Sequence, residues 1–459
     1  MNIKFGTDGI RGVANEALSP EIAFRIGLAA GTLIKQKDAV PRVVMGRDTR
    51  KSGSMLGAAL AAGFCSAGVD VVAMGHVPTG GISFVTRTGD FSMGVVISAS
   101  HNPAPDNGIK LIASDGKKIS DADEATIVAL VARDDIVRPT GGAVGSIDSS
   151  RADVDRYLSF LETLVPERLD GMKVAVDCAN GAAYGLGPEI LRRLGAELII
   201  VGDSPNGMNI NSDGGATKPE TIQNLTQESG AVIGIAFDGD ADRAVFSDSK
   251  ARLINGDRTM AIWASHWRNT ERFTPSTIVG TVMSNGGFAS YAESNGITLA
   301  RADVGDKYVS RMMDELGAKI GGEQSGHIIF SERGPTGDGL ITALELLRVL
   351  KLSGRDASSF YDEFENFPQL LVNVTVGDKT GWDTREAIVS AIAEAQNLLA
   401  PAGRLNVRAS GTQPMIRVMG ESPDMAHTQT AVDLVANALI SELGGSIYSR
   451  VDLTHALGD

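Results

Sequence analysis

Short apolar runs rich in Val and Ile alternate with stretches of helical spacing along most of the chain, the pattern of α/β units with largely parallel strands. Ser19-Pro20-Glu21 has the chemistry of a helix start: a serine N-cap, a proline in the first turn and an acid at the positive end. Apolar positions then recur at helical spacing through Ile34. Residues 42–46, 69–74 and 93–97 read as strands and 54–67 as a helix, with the strand at 93–97 running into a serine-bearing loop. The loop-like Thr140-Gly-Gly-Ala-Val-Gly-Ser precedes a first boundary near residue 150. Residues 173–177 open a second α/β unit, with a helix through 188–194 and a strand at 231–237. A third unit starts near residue 251, with a strand at 277–282 and a strand-helix-strand region over 303–322. The pattern breaks at 364–368. The remaining C-terminal residues predict a smaller α+β domain: strand 371–376, helix 383–399, loop 408–414 and a closing helix over 425–443.

At 459 residues the chain is too long for one core, and its 43% apolar and 21% charged content is that of an ordinary globular protein. A net charge of −14 with no basic block speaks against nucleic acid as a partner. Cys65 and Cys178 are the only cysteines, too few for a disulfide framework or a cysteine zinc site, and the N-terminal segment lacks the apolar core of a signal peptide. Both point to the cytoplasm. The uncharged run between Lys51 and Asp70 is rich in Gly, Ala and Ser, which suits a tightly packed core helix rather than a membrane span.

Two segments carry the chemistry. Asp238-Gly-Asp-Ala-Asp-Arg243 gathers three carboxylates at alternate positions directly after a buried-looking run. Such a cluster repels itself unless a cation neutralises it, so Asp238, Asp240 and Asp242 read as a hard-metal site at a strand end, with Gly239 letting the backbone bend. An EF-hand needs Gly and Glu where Arg243 and Ser249 stand, and a haloacid-dehalogenase nucleophile needs Thr or Val where Asp242 stands. The second segment, Ser98-Ala-Ser-His-Asn-Pro-Ala-Pro-Asp-Asn-Gly-Ile-Lys110, hangs hydroxyls, an imidazole and a lysine on one loop. Ser100 has no nucleophile elbow around it, and Ser98 competes as the reacting hydroxyl; His101 reads as a structural hydrogen bonder. Asn107-Gly108 predicts a tight turn that swings Lys110 back. A hydroxyl facing a divalent cation beside basic groups suits phosphoryl transfer.

Three further segments add to this. Arg408-Ala-Ser-Gly-Thr-Gln-Pro414, with Arg417 beyond it, offers hydroxyls, backbone N–H groups and two guanidinium groups to a phosphate dianion: Arg408, Ser410, Gly411, Thr412 and Arg417. In Gly321-Gly-Glu-Gln-Ser-Gly-His327, Glu323 and Ser325 suit sugar hydroxyls and His327 suits proton transfer. Arg11 lies between glycines in Phe5-Gly-Thr-Asp-Gly-Ile-Arg-Gly12, a setting that lets an anion approach closely. Dinucleotide, Walker A, zincin and Cys-x-x-Cys motifs are absent.

In order and spacing these segments resemble the α-D-phosphohexomutase superfamily over the whole chain. Pro205-Asn-Gly-Met-Asn-Ile-Asn211 and the Glu-Gln-Ser form of the 322–327 loop make the chain most similar to its bacterial phosphoglucosamine-mutating members. The resemblance implies an α/β protein of four domains around a central cleft: three similar mixed-sheet α/β cores at 1–150, 151–250 and 251–366, and a smaller α+β domain at 367–459. It implies that Ser100 carries a phosphoryl group, and that Asp238, Asp240, Asp242 and that phosphate hold one Mg²⁺. Arg11 and Arg243 would lie near the phosphate, Lys110 and His327 would move protons, and Glu323 and Ser325 would bind the sugar. Arg408, Ser410, Gly411, Thr412 and Arg417 would grip the non-reacting phosphate. The implied reaction turns glucosamine 6-phosphate into glucosamine 1-phosphate through a 1,6-bisphosphate. The implied partner is thus a small amino-sugar phosphate, not nucleic acid or membrane, with the chain a monomer or homodimer. Ala409, Gln413 and Ala241 stand where the superfamily often has lysine, glutamate and glycine.

Overall fold

The computed structural model describes residues 5–6, 9–410, 413–455 and 457. They form two compact units, one of residues 1–281 with 302–361 and one of residues 282–301 with 362–459.

In the first domain, β1 (Ile10–Val13), α1 (Pro20–Lys35), β2 (Arg42–Arg47), α2 (Gly53–Ser66), β3 (Asp70–His76), α3 (Thr79–Thr88), β4 (Met93–Ile97), β5 (Asp106–Ala113), α4 (Asp121–Val131) and β6 (Ile147–Ser149) succeed one another. The sheet order is β1-β5-β4-β2-β3-β6, with β4, β2, β3 and β6 parallel and β5 antiparallel to both β4 and β1. Ser19 caps α1, its hydroxyl accepting from the Ile22 N–H at 3.4 Å. The small residues of the uncharged run let α1 and α2 touch backbone to backbone: a Cβ on Gly27 would fall 2.2 Å from the Leu60 carbonyl oxygen, and one on Gly63 2.2 Å from that of Phe24. That run is a core helix of this domain, and among the described residues no helix is long and apolar enough to cross a membrane.

Helix α5 (Arg151–Glu162) leads into the second domain, built of β7 (Lys173–Asp177), α6 (Ala183–Arg193), β8 (Glu197–Val201), α7 (Glu220–Ser229), β9 (Ile233–Phe237), β10 (Ala244–Asp248) and β11 (Leu253–Ile254) in the order β11-β10-β9-β7-β8. The third comprises α8 (Gly256–Trp267), β12 (Thr277–Thr281), α9 (Gly286–Ser294), β13 (Thr298–Ala302), α10 (Asp306–Leu316), β14 (Ile320–Gly322), β15 (Ile328–Phe330), α11 (Gly339–Ser353) and α12 (Ala357–Tyr361). Here β14 lies parallel to β12 and antiparallel to β15. The strand expected to begin at residue 303 is β13, which ends at Ala302, because Asp303–Gly305 form the turn into α10.

The second unit holds α9, β13 as far as Arg301, and the last domain: β16 (Gln369–Thr375), α13 (Glu386–Leu399), β17 (Arg404–Ala409), β18 (Met415–Glu421), α14 (Met425–Leu443) and β19 (Ser446–Asp452). Its sheet, β17-β18-β16-β19, is wholly antiparallel, and Val372, Val374, Ile416 and Val418 pack against Ile388, Val432 and Val435 of the two helices. Arg408 and Ala409, expected in a loop, complete β17, and α13 starts three residues later than expected, after a short turn at Trp382–Thr384.

One arrangement recurs in the three α/β domains. Each carries its chemistry-bearing segment in the connection between a strand and its antiparallel neighbour: residues 98–105 between β4 and β5, 238–243 between β9 and β10, and 323–327 between β14 and β15.

Candidate active site

Ser100 sits at the tip of the first connection, 1% exposed and in the left-handed region at φ +50°. Its hydroxyl donates to Asp238 Oδ2 at 2.5 Å, so the first connection meets the second at its two reactive residues. Ser98, the competing hydroxyl, is fully buried and engaged: it donates to Asp48 Oδ2 at 2.5 Å and accepts from the Ser100 N–H at 2.8 Å. Asn107 and Gly108 form no turn. They are part of β5, and the chain reverses earlier, around Ser100–Pro105. Lys110 reaches the site because it is the β5 residue paired with Val96 of β4.

The three carboxylates do not converge by strand alternation either. Residues 238–242 form a turn in which Ala241 adopts φ +53°, so the alanine at this position carries a backbone strain that glycine would not. Gly239 is required by proximity rather than bending, since a Cβ there would lie 2.3 Å from the Ser100 carbonyl oxygen. Asp238, Asp240 and Asp242 each offer an oxygen within 4.8 Å of the others, all buried. Lys110 Nζ donates to Asp240 Oδ2 at 2.7 Å and to Asp242 Oδ2 at 3.2 Å, and Thr79 Oγ1 donates to Asp240 Oδ2 at 2.6 Å. Arg243 donates its N–H to Asp238 Oδ1 at 3.2 Å and holds Nε 4.0 Å from Asp242 Oδ1. Burial, then the charges of Asp242 and Asp240, push the Asp238 carboxyl well above the usual carboxylate range, against the pull of Arg243 and the Ser100 hydroxyl. Asp242 Oδ1 is buried and accepts no hydrogen bond. Three crowded carboxylates, with the buried Asp242 Oδ1 accepting no hydrogen bond, are the donor set a hard divalent cation takes.

The third connection is tied to the second through backbone: the Ala244 N–H donates to the Gly326 carbonyl at 3.1 Å. Glu323 accepts from the Gly305 N–H at 2.9 Å through Oε1, and Ser325 and His327 are buried beside it, with His327 Nε2 3.9 Å from Asp306 Oδ2. Arg11, on β1, faces the first connection, donating to Asn102 Oδ1 at 3.4 Å. Two helix N-termini also close on the carboxylate turn, the Thr79 N–H of α3 on the Asp240 carbonyl at 3.0 Å and the Gly339 N–H of α11 on that of Ala241 at 2.9 Å. Their positive ends oppose the clustered negative charge.

Asp338, the N-cap of α11, is buried and accepts from Tyr157 Oη at 2.7 Å and from the Leu340 and Ile341 N–H groups at 2.9 and 3.1 Å. Burial raises its carboxyl to about 6. A carboxyl whose folded value lies above its unfolded one stabilises the fold fully at low pH, and that contribution is lost as pH rises from about 4 to about 6, a cost on the order of 3 kcal/mol above that window. Asp338→Asn keeps a capping oxygen and removes the charge. Its unfolding free energy should therefore exceed that of the parent at pH 7.5 and converge with it near pH 4, as denaturant titrations at the two pH values would measure.

In the second unit, Arg408 and Arg417 are direct cross-strand partners of β17 and β18. Two guanidinium groups on one face repel, which an intervening anion reverses. Ser410 comes next, its N–H bonded to the Met415 carbonyl at 2.8 Å, while Gly411 and Thr412 lie outside the described residues. Lys379 binds the Ser410 carbonyl and, at 3.1 Å, that of Gln413, so a lysine from a separate loop brings positive charge to a segment whose own position 409 is alanine.

Asp48, Thr79, Asp338 and Lys379 belong to these networks without having been singled out in the sequence. Gly46-Arg-Asp-Thr-Arg50 held the clearest signal, a charged run at the carboxyl end of a parallel strand, where open α/β sheets bind ligands.

Family profiles match in four consecutive blocks: phosphoglucomutase/phosphomannomutase α/β/α domain I at residues 2–137, domain II at 155–251, domain III at 255–367 and the C-terminal domain at 371–438. A phosphoglucosamine mutase of Symbiobacterium thermophilum is 48% identical, over 96% of this chain and 99% of that protein. Among solved structures, a phosphoglucomutase/phosphomannomutase family protein of Burkholderia thailandensis aligns with a TM-score of 0.79 and 26% identity, over 96% of this chain and 98% of that one. The Aspergillus fumigatus N-acetylphosphoglucosamine mutase, solved with GlcNAc-6P and magnesium, shares the fold at a TM-score of 0.67 and 19% identity, each chain covered to 95%.

Proposed function

Since the chain belongs to the phosphoglucomutase/phosphomannomutase family, we propose that it interconverts glucosamine 6-phosphate and glucosamine 1-phosphate through a phosphorylated Ser100 and a glucosamine 1,6-bisphosphate intermediate. The observation that carries this reading is the buried contact of the Ser100 hydroxyl with Asp238, in a carboxylate cluster bridged by Lys110. Asp238, Asp240, Asp242 and the Ser100 phosphate would hold Mg²⁺, which supplies charge neutralisation at the phosphoryl group when bound.

The chain's own groups do the rest. Ser100 gives its phosphoryl group to the free hydroxyl of the sugar phosphate: the Ser100 Oγ–P bond breaks and a sugar O–P bond forms. After the bisphosphate reorients, its other phosphoryl group returns to Ser100. Arg243 and Arg11 offset charge on the transferring group, and Lys110 and His327 are the candidate groups for moving the hydroxyl proton. Glu323 and Ser325 hold sugar hydroxyls, while Arg408, Ser410, Gly411, Thr412 and Arg417 grip the phosphate that does not react. The glucosamine assignment draws on the Glu323-Gln-Ser325 sequence and on the phosphoglucosamine mutases this chain is similar to. Cys65 and Cys178, both free and buried, fit work in the reducing cytoplasm.

Comparing kcat/KM for glucosamine, glucose and mannose phosphates, with inorganic phosphate followed in parallel, tests the assignment. Glucosamine phosphates should lead by about tenfold or more, the scale on which a site separates substrates that differ in one small group. Equal or faster turnover of glucose or mannose phosphates would reassign the substrate, and stoichiometric phosphate release would make the protein a phosphatase.

A further inference from the structure

Arg50 is, with Arg258, among the largest fully buried side chains of the described residues, and none of its donors is idle. Nε donates to Asp48 Oδ2 at 2.8 Å. Nη1 donates to the carbonyls of Pro103 and, at 3.0 Å, Asp106. Nη2 donates to those of Ser100 at 2.8 Å and Asn102 at 2.7 Å. Five guanidinium N–H groups thus meet one carboxylate and four carbonyls of a single loop, the one that carries Ser100. Asp48, fully buried, fixes the guanidinium through Oδ2, takes the Arg50 N–H on Oδ1 at 2.9 Å, and receives the Ser98 hydroxyl, which in turn accepts from the Ser100 N–H. The Ser100 carbonyl is shared with Asn211 Nδ2 at 2.9 Å. Both backbone groups of Ser100 are therefore held by side chains, in a left-handed conformation that a serine does not favour.

We propose that Arg50 is a positioning residue: anchored on Asp48, the carboxylate that also holds Ser98, it clamps the serine loop so that the Ser100 hydroxyl stays aimed at Asp238. A ring of carbonyls around a planar fork is matched by arginine and not by lysine, which has three donors and no fixed plane. Without the fork, Ser100 can relax toward an ordinary backbone conformation and carry its hydroxyl away from the carboxylate turn. The inference rests on Ser100 being the residue that is phosphorylated.

The test is the rate at which Ser100 is loaded by a sugar 1,6-bisphosphate, followed by intact mass and peptide mapping, together with kcat and KM for the sugar phosphate, in the parent, R50K and S98A. For R50K, loading and kcat should both fall about a hundredfold, the scale of a misplacement near 1 Å. KM should move less than threefold, because the sugar- and phosphate-binding residues are untouched. S98A deletes one hydroxyl and no charge, so it keeps the test decisive should R50K fail to fold. Its loading should slow about tenfold, with the melting temperature within a few degrees of the parent. Loading within threefold of the parent in folded R50K, or in S98A when R50K does not fold, would overturn the clamp, as would a KM that rises as much as kcat falls. A parent enzyme that never acquires a phosphoryl group on Ser100 removes the reading beneath it as well, which separates the two failures.

Discussion

Ser100→Ala is expected to abolish mutase turnover, by at least about a thousandfold, while leaving the protein folded. The expectation comes from how alone this hydroxyl is. Ser98 Oγ is taken up by Asp48 and the Ser100 N–H, and Thr79 Oγ1 by Asp240, so neither neighbour can stand in for the lost nucleophile. The substitution removes one buried hydrogen bond and no backbone contact, because Arg50 and Asn211 hold the main chain of this residue rather than its side chain. Turnover should vanish from steady-state assays, the mass of one phosphoryl group should be missing after incubation with a bisphosphate, and the unfolding curve should stay close to that of the parent. A variant retaining a tenth of parental activity would exclude Ser100 as the phosphoryl carrier.

Asp240→Asn should rank second. Asp240 is fully buried and takes both the Lys110 ammonium and the Thr79 hydroxyl on one oxygen, so the amide removes a charge at the centre of the network. Losing one of three anionic donors should lower activity on the order of a thousandfold, the several kcal/mol of charge stabilisation a metal site supplies. A readout without turnover is available in thermal unfolding with and without Mg²⁺. Burial and two like charges raise the Asp238 carboxyl, so in the metal-free protein the stabilisation it provides when protonated is lost as pH rises above the usual carboxylate range. Mg²⁺ should then raise the melting temperature more at pH 8 than at pH 5.5, and Asp240→Asn should shrink that difference. An undiminished Mg²⁺ response in the variant would place the cation elsewhere.

Much of this was legible in the sequence where local chemistry and fold agree. The Ser19 cap, the strand Met93–Ile97 and the helix Met425–Leu443 arise from caps and periodicity alone. The candidate residues Ser100, Lys110 and the three aspartates are found together, but by routes the spacing did not reveal. Alternation suggested an extended acidic segment, whereas a left-handed Ala241 folds it into a turn; Asn107-Gly108 suggested a turn, whereas strand pairing draws both residues into β5. In each case a tertiary partner outweighed the local preference. The role of Arg50 was less legible than its place: the charged run at residues 46–50 marks a strand end, but says nothing of the four carbonyls that surround the guanidinium, since those come from a segment about fifty residues away.

The placement of the three reactive segments between neighbouring antiparallel strands has a consequence for tolerance to insertion and deletion. In such a ladder the side-chain direction inverts with every residue, so the aim of Lys110 is set by its pairing with Val96 and not by the segment's length or composition. Deleting one residue from β5 ahead of Lys110 would present Leu111 at that place and turn the ammonium to the opposite side of the sheet, silencing the enzyme without touching a reactive residue. A glycine inserted among residues 101–105, outside the strand ladder, would leave the aim of Lys110 unchanged and disturb instead the carbonyls that Arg50 holds. Gains and losses of a single codon should thus divide sharply by position, with a boundary at Asp106 where the ladder begins.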